Sequence, residues 1–119
     1  MSTENKEIVR KVNSAFDENN MDAVLEQCTD NIKWVMVGNA SVEGKEEIRK
    51  WMASGNENGN CLSQINSARL VAEGDTVACY GDMTLKDKEG NPLIYEYCDV
   101  YAFENGKISE IRSYVIKSH

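Results

Sequence analysis

The chain has 119 residues, a formal net charge of −7 and a hydrophobic fraction of 41%, which together predict one globular domain over residues 1–119. The acidic balance disfavours nucleic acids and anionic membranes as partners, because no basic stripe is present to displace their counterions. No apolar run approaches the roughly 18 residues of a membrane-spanning helix, and the first residues lack the apolar core of a signal peptide. We therefore expect a cytoplasmic location.

Three helices and one strand are predicted in the first half of the chain from the spacing of apolar residues. The predicted elements are helices at residues 3–18, 21–28 and 45–54, a strand at residues 32–37, and loops at residues 38–44 and 55–60. Trp34 and Met36 share one face of the strand, because side chains alternate along it. Trp51 lies on the apolar side of the third helix.

The second half predicts four strands separated by turn signals. These strands span residues 63–72, 76–86, 93–103 and 107–117. A tight turn is predicted at Glu104-Asn105-Gly106-Lys107, because Asn-Gly favours hairpin turns. The order α-α-β-α-β-β-β-β, with helices followed by an antiparallel meander, predicts an α+β fold.

The cysteines and the histidine argue against several common catalytic designs. Cys28, Cys61, Cys79 and Cys98 form no Cys-x-x-Cys pair and lack metal-ligand spacing, so in a reducing compartment we expect small apolar side chains. The only histidine is the terminal His119, which disfavours Ser-His-Asp and Cys-His mechanisms and a histidine-based zinc site. We predict no metal and no cofactor.

Asp99 is an unusual residue for the middle of a strand, where Asp is normally disfavoured. The side chains that share its face are Tyr95, Tyr97, Tyr101 and Phe103. Burying a carboxylate among them costs several kcal/mol unless it is paired or hydrogen-bonded. Three alternatives follow: the residue faces water, it accepts hydrogen bonds within a polar core, or it contacts a ligand.

A second acid is predicted beside Asp99 from the register of the preceding strand. A turn at Lys88-Glu89-Gly90 places Tyr80 opposite Asp99 and Asp82 opposite Tyr97, with Thr84 on the same face. The two carboxylates are then expected about 7 Å apart. Their repulsion raises at least one pKa and supplies both a proton acceptor and a proton donor. A bulge that shifts the register turns Asp82 toward solvent instead.

Several motifs together resemble the nuclear transport factor 2-like superfamily, in particular its SnoaL-like and ketosteroid isomerase-like branches. They are Val42-Glu43-Gly44-Lys45-Glu46-Glu47-Ile48 with Trp51, Phe103-Glu104-Asn105-Gly106-Lys107-Ile108, and Arg112-Ser113-Tyr114. The resemblance implies a cone-shaped, cystatin-like barrel, in which a strongly bent antiparallel sheet wraps around the N-terminal helices. It also implies a hydrophobic pocket inside the cone and a homodimer through the outer face of the sheet.

The resemblance directs the Asp99 face into that pocket, where ketosteroid isomerases hold a protonated Asp. The expected pocket residues are Trp34, Met36, Trp51, Tyr80, Thr84, Tyr97, Tyr101 and Ser113. Met36 falls at the position of the isomerase general base and Val12 near that of its oxyanion-hole tyrosine, so steroid isomerisation is disfavoured. A SnoaL-like activity with one acidic residue in a hydrophobic pocket is the enzymatic reading least contradicted.

Two classes of function therefore remain open. The first is a protein that binds a small hydrophobic molecule and acts on it as an acid–base isomerase, cyclase or lyase, with Asp99 and Asp82 carrying protons. The second is a non-catalytic ligand-binding or dimeric interaction module, consistent with the missing base at Met36. The sequence does not decide whether the protein is an enzyme.

Overall fold

The computed structural model describes residues 2–18, 20–38, 40–57, 61–66, 68–87 and 89–118. The helices are α1 (Ser2–Asp17), α2 (Met21–Glu26) and α3 (Lys45–Glu57). The strands are β1 (Cys28–Met36), β2 (Ala40–Glu43), β3 (Cys61–Ile65), β4 (Arg69–Glu73), β5 (Thr76–Lys86), β6 (Pro92–Glu104) and β7 (Lys107–Lys117). None of the described helices is long and apolar enough to cross a membrane.

The strands form one curved sheet in the order β2-β1-β7-β6-β5-β3, with β4 also paired to β5. Three helices and this sheet make an α+β fold, which confirms the predicted class. The expectation that every strand pair is antiparallel is wrong, because β1 and β7 pair in parallel. Turn signals predict the pairing of strands that follow one another in the chain. They do not predict the pairing of β1 with β7, because these strands are far apart in the sequence.

The apolar core fills the space between the helices and one face of the sheet. Its largest fully buried members are Val9, Val12, Val24, Ile32, Ile48, Val77, Tyr101, Ile108 and Ile111. On α1, Val9 and Val12 are separated by three residues and therefore share one face of the helix. Burying side chains of this size contributes about 1.5–3 kcal/mol each, so this layer accounts for much of the fold's stability.

Three parts of the chain differ from the predicted elements. The helix predicted at residues 21–28 ends at Glu26, and the strand predicted from residue 32 begins at Cys28. The loop expected at residues 38–44 contains β2, which pairs with the end of β1 through Trp34 and Val42. The single strand expected at residues 63–72 is two strands, β3 and β4, which pair with different halves of β5. At the break, the Asn66 backbone N–H donates to the Asp82 carbonyl. The helix α3 continues to Glu57, and the remainder of the predicted 55–60 loop lies outside the described residues.

The tight turn predicted between the last two strands is confirmed. Glu104 pairs with Lys107, and the two residues between them adopt positive φ angles, 53° at Asn105 and 83° at Gly106. Two successive positive φ angles define the turn that matches the twist of a two-residue hairpin. This turn fixes the pairing of β6 with β7, and thereby the strand that faces Asp99.

Candidate functional site

The two faces of the sheet have different surroundings. On the inner face, Cys79 of β5 accepts a hydrogen bond from the Asn13 amide of α1, at 3.4 Å. Trp34 of β1 packs there against Phe16 of α1 and Trp51 of α3, with ring centroids 5.7 and 5.6 Å away. The opposite face carries exposed side chains of β5, β6 and β7, and we call it the outer face. Residues on adjacent strands share a face when they are direct partners.

The predicted register between β5 and β6 is wrong by one residue. Cys79, not Tyr80, is the partner of Asp99, and Gly81 is the partner of Tyr97. Asp82 pairs with Glu96 on the outer face. Because a shift of one residue moves every side chain to the other face, Tyr80, Asp82 and Thr84 all leave the Asp99 face. The predicted pair of adjacent carboxylates is therefore not formed.

The connection between β5 and β6 is centred on Glu89, in the predicted turn. Lys86 pairs with Pro92, so five residues join the two strands. Asp87 organises them: its carboxylate accepts from the backbone N–H groups of Glu89 and Asn91, at 3.0 and 2.8 Å. These hydrogen bonds lower the pKa of Asp87. Counting outward from a turn centred on Glu89 pairs Asp99 with Cys79, so the predicted pairing with Tyr80 was one residue out of register with its own turn.

Asp99 lies on the inner face between β5 and β7, where it pairs with Cys79 and Ser113. Ser113 is 3% exposed, and its hydroxyl oxygen accepts a hydrogen bond from the Trp34 indole N–H at 2.9 Å. Burial raises the pKa of Asp99 to about 6, and a hydrogen bond with the Ser113 side chain partly offsets that rise. A carboxyl group with this pKa exchanges protons readily near neutral pH.

The depth of the inner face changes along the strands, and the buried Tyr97 and Tyr101 lie on either side of Asp99. Toward the Gly106 turn, Tyr101 and Phe103 are buried, as is Ile111 across from Tyr101. Toward the other end, Tyr95 and Val115 are only partly buried. Asp99 itself is partly buried, unlike its neighbours in the core. The Asp99 side chain is therefore partly accessible although its cross-strand partners Cys79 and Ser113 are buried.

Two tyrosines of β6 flank Asp99 on this face. The Tyr97 hydroxyl lies 3.8 Å from the Cys79 sulfur, and burial raises the pKa of both groups. Tyr101 is fully buried, and its hydroxyl has no hydrogen-bond partner among the described residues. Burial raises the pKa of Tyr101 as well. The site thus contains one acid with a near-neutral pKa, surrounded by groups that are uncharged at neutral pH.

Seven of the predicted site residues lie on the core side and three do not. Those on the core side are Trp34, Met36, Trp51, Tyr97, Asp99, Tyr101 and Ser113. Cys79 and Asn13 are members of the site that the sequence reading missed. Asn13 lies four residues after Val9 on the apolar stripe of α1. A polar amide on the apolar stripe of a helix is the sequence feature that could have identified Asn13 as a site residue.

A separate groove of about 700 Å³ lies on the outer face. Its lining includes Tyr80, Ile94, Glu96, Tyr114 and Ile116. The four apolar or aromatic members are between 42% and 70% exposed. This surface is distinct from the Asp99 site, because its side chains belong to the alternate positions of the same strands. Among the described residues, no group of three or more His, Cys, Asp or Glu side chains is arranged to hold a metal ion.

Three solved structures share this architecture. A candidate polyketide cyclase from Xanthomonas campestris pv. campestris has a TM-score of 0.88 and 14% identity, over 95% of this chain and 90% of its own. An NTF2-like protein of unknown function from Cytophaga hutchinsonii has a TM-score of 0.73 and 27% identity, over 98% and 99%. TerC, co-crystallised with polyporic acid, has a TM-score of 0.80 and 16% identity, over 92% and 89%.

These likenesses establish the nuclear transport factor 2-like fold. Comparison with curated proteins finds no significant match. The family model described as the SnoaL-like domain matches residues 9–111, which include Trp34, Asp99 and Tyr101. Because this match spans most of the chain, the protein belongs to the SnoaL-like domain family of the nuclear transport factor 2-like superfamily.

Proposed function

We propose that this protein binds a small hydrophobic molecule at the inner face of the sheet and acts on it as an acid–base cyclase or isomerase, with Asp99 transferring the proton. The observation that carries the proposal is the position of Asp99, a partly buried acid with a pKa of about 6 among the buried side chains of Cys79, Tyr97, Tyr101 and Ser113. A structural role alone gives no reason to keep an ionisable group there, since burying it opposes folding.

The surroundings of Asp99 suit proton transfer. A catalytic group works best when its pKa lies close to the working pH, and a pKa of about 6 meets that condition at neutral pH. The neighbouring Cys79, Tyr97 and Tyr101 all have raised pKa values, so they remain neutral. Asp99 is then the group of this cluster that changes charge near neutral pH. We therefore assign both the removal of a proton from the ligand and its return to this one acid.

The ligand is assigned as hydrophobic because of what surrounds the acid. Trp34, Trp51 and Phe16 form an aromatic wall on the core side. The buried Tyr101 hydroxyl offers one hydrogen bond to an oxygen of the ligand. A mainly apolar lining with few oriented polar groups is typical of small-molecule sites. A structural relative that was crystallised with polyporic acid supports a small-molecule ligand.

Ligand binding is testable with polyporic acid as the probe. We expect its titration to shift the backbone amide resonances of Asp99, Tyr101 and Ser113 in heteronuclear NMR spectra. Tyr101→Phe is expected to weaken binding by roughly threefold to tenfold, because the hydroxyl contributes one hydrogen bond. Asp82→Asn, a change on the outer face, serves as the matched control. Shifts confined to the outer groove contradict the assignment of the ligand to the inner face.

We also propose that two copies associate through the outer face. The groove there exposes Tyr80, Tyr114 and Ile116, an apolar patch of the kind that marks interaction sites. On the same face Arg112 pairs with Glu110 of its own strand, at 3.2 Å, so the apolar patch carries the proposal. A dimer alone, without catalysis, is the second functional class that this surface favours.

The mass in solution tests this association. At micromolar concentration we expect the wild-type protein to sediment as a dimer. Ile116→Glu is expected to yield the monomer, because it places a charge in the centre of the apolar patch on both subunits. Val37→Glu is the matched control, since Val37 is 42% exposed directly after the end of β1, outside the groove lining. A monomeric wild-type mass contradicts the proposed interface.

A further inference from the structure

A buried hydrogen bond connects β1 to the strand beside Asp99. The Trp34 indole N–H donates to the Ser113 hydroxyl oxygen at 2.9 Å, and these residues are 7% and 3% exposed. An indole nitrogen is a donor only. The direction of this hydrogen bond is therefore fixed, and the Ser113 oxygen is the acceptor.

The Ser113 hydroxyl proton has an acceptor close by, the Asp99 carboxylate. A serine hydroxyl carries one proton, and that proton is not used in the contact with Trp34. Ser113 is the direct partner of Asp99 in the β6–β7 pair, and the two side chains are hydrogen-bonded. The hydroxyl proton is thus available to Asp99, and because this hydrogen bond lowers the pKa of Asp99, Ser113 is the donor and the carboxylate is the acceptor. An ionised carboxylate is the stronger acceptor, so this chain of hydrogen bonds favours the charged form.

We propose that Trp34 and Ser113 are positioning residues that orient Asp99 and hold it in its ionised form, ready to accept a proton. The chain runs from the indole N–H to the hydroxyl and from the hydroxyl to the carboxylate, across three strands. This inference deepens the proposed function and rests on it, because the ionised form matters for a ligand that gives up a proton. It assigns Ser113 and Trp34 a role beyond lining the site.

The other groups around Asp99 do not provide the same support. The charge of Asp99 raises the pKa values of four titratable groups. They are Cys79 on β5 and Tyr97, Cys98 and Tyr101 on β6. Each of these pKa values is raised, so each group is neutral at neutral pH. The element β1 contributes Trp34, which carries no charge. The Ser113 hydrogen bond is the interaction that opposes the rise of the Asp99 pKa on burial.

The test measures the pKa of Asp99 in the free protein, from the pH dependence of its side-chain carboxyl ¹³C resonance. This resonance is assigned by its disappearance in Asp99→Asn. Ser113→Ala is expected to raise the pKa of Asp99 by about one unit or more, a tenfold change in the proton equilibrium. Ser113→Thr keeps the hydroxyl and is expected to retain the wild-type value. Ser109→Ala is the matched control, because the Ser109 hydroxyl donates to the Ala102 carbonyl instead.

The variant Trp34→Phe distinguishes the contribution of Trp34 to the pKa of Asp99 from that of Ser113. It keeps an aromatic ring but frees the Ser113 hydroxyl to rotate, so a smaller rise in the pKa of Asp99 is expected. If Ser113→Ala does not fold, Trp34→Phe and Ser113→Thr decide the question. An unchanged or lowered pKa in Ser113→Ala, or in Trp34→Phe where only that variant folds, overturns the proposal. The pKa of Asp99 is measured without a ligand. Failure of polyporic acid to bind therefore contradicts the proposed function but does not affect this test of the hydrogen-bond chain.

Discussion

Asp99→Asn is expected to reduce turnover by roughly 10²-fold to 10⁴-fold, the usual contribution of a positioned proton-transfer group. The substitution preserves the size of the side chain and its capacity to accept from Ser113, but it removes the ability to exchange a proton. The measurement is the incorporation of deuterium from D₂O into aromatic carbonyl compounds, followed by mass spectrometry. Deuterium exchange reports acid–base chemistry even when the final product has not been identified.

The matched control for this prediction is Asp82→Asn. Asp82 lies on the same sheet but pairs with Glu96 on the outer face, so its replacement is expected to leave exchange within about twofold of wild type. The two variants make the same chemical change on opposite faces. Equal losses in both contradict a specific role for Asp99. If Asp99→Asn retains the full rate of deuterium exchange, the acid–base function is contradicted and the binding module is the function that the site supports.

The sequence predicted well the features that depend on local chemistry. The strand at residues 107–117 and the Asn105-Gly106 turn are confirmed, because hairpin turns with positive φ angles have a strong local signature. The prediction that Asp99 shares a face with Tyr97 and Tyr101 rests on alternation along one strand, which needs no knowledge of the neighbours. The family resemblance supplied the direction of that face.

Features that depend on the pairing of separate segments were not predictable in the same way. The side chain of Asp87 stabilises the five-residue connection between β5 and β6. The observed register of these strands places Tyr80 and Asp82 on the outer face. The parallel contact of β1 with β7 joins segments about 80 residues apart, which places Trp34 near Ser113. Alternation within a strand therefore identified the acid, whereas register and topology determined its partners.

These partners imply a compromise between stability and function at Asp99. An apolar residue at this position avoids the desolvation of a carboxylate, yet it offers no proton transfer. The raised pKa of about 6 measures how strongly the folded interior disfavours the charge. A group whose pKa is higher in the folded than in the unfolded chain makes stability depend on pH. The same property that suits Asp99 to catalysis is therefore visible in an unfolding experiment.

The stability of the wild-type protein relative to Asp99→Asn is expected to fall as the pH rises from about 4 to about 7.5. Below the unfolded pKa, Asp99 is protonated in both states and favours neither. Between the unfolded value of 3.8 and the folded value of about 6, only the unfolded chain releases its proton. The folded state then loses up to about 3 kcal/mol relative to the unfolded state. Urea unfolding of both proteins across this pH range measures the difference.

The comparison between the two proteins isolates Asp99 from the other carboxylates. Asp87 has a lowered pKa and contributes stability in the opposite sense, which is lost as the pH falls. Its contribution is common to both proteins and cancels in the difference. A difference that stays constant across the range means that Asp99 titrates near its ordinary value. In that case its carboxylate is well solvated in the folded protein, and the physical basis for a poised proton-transfer group is lost.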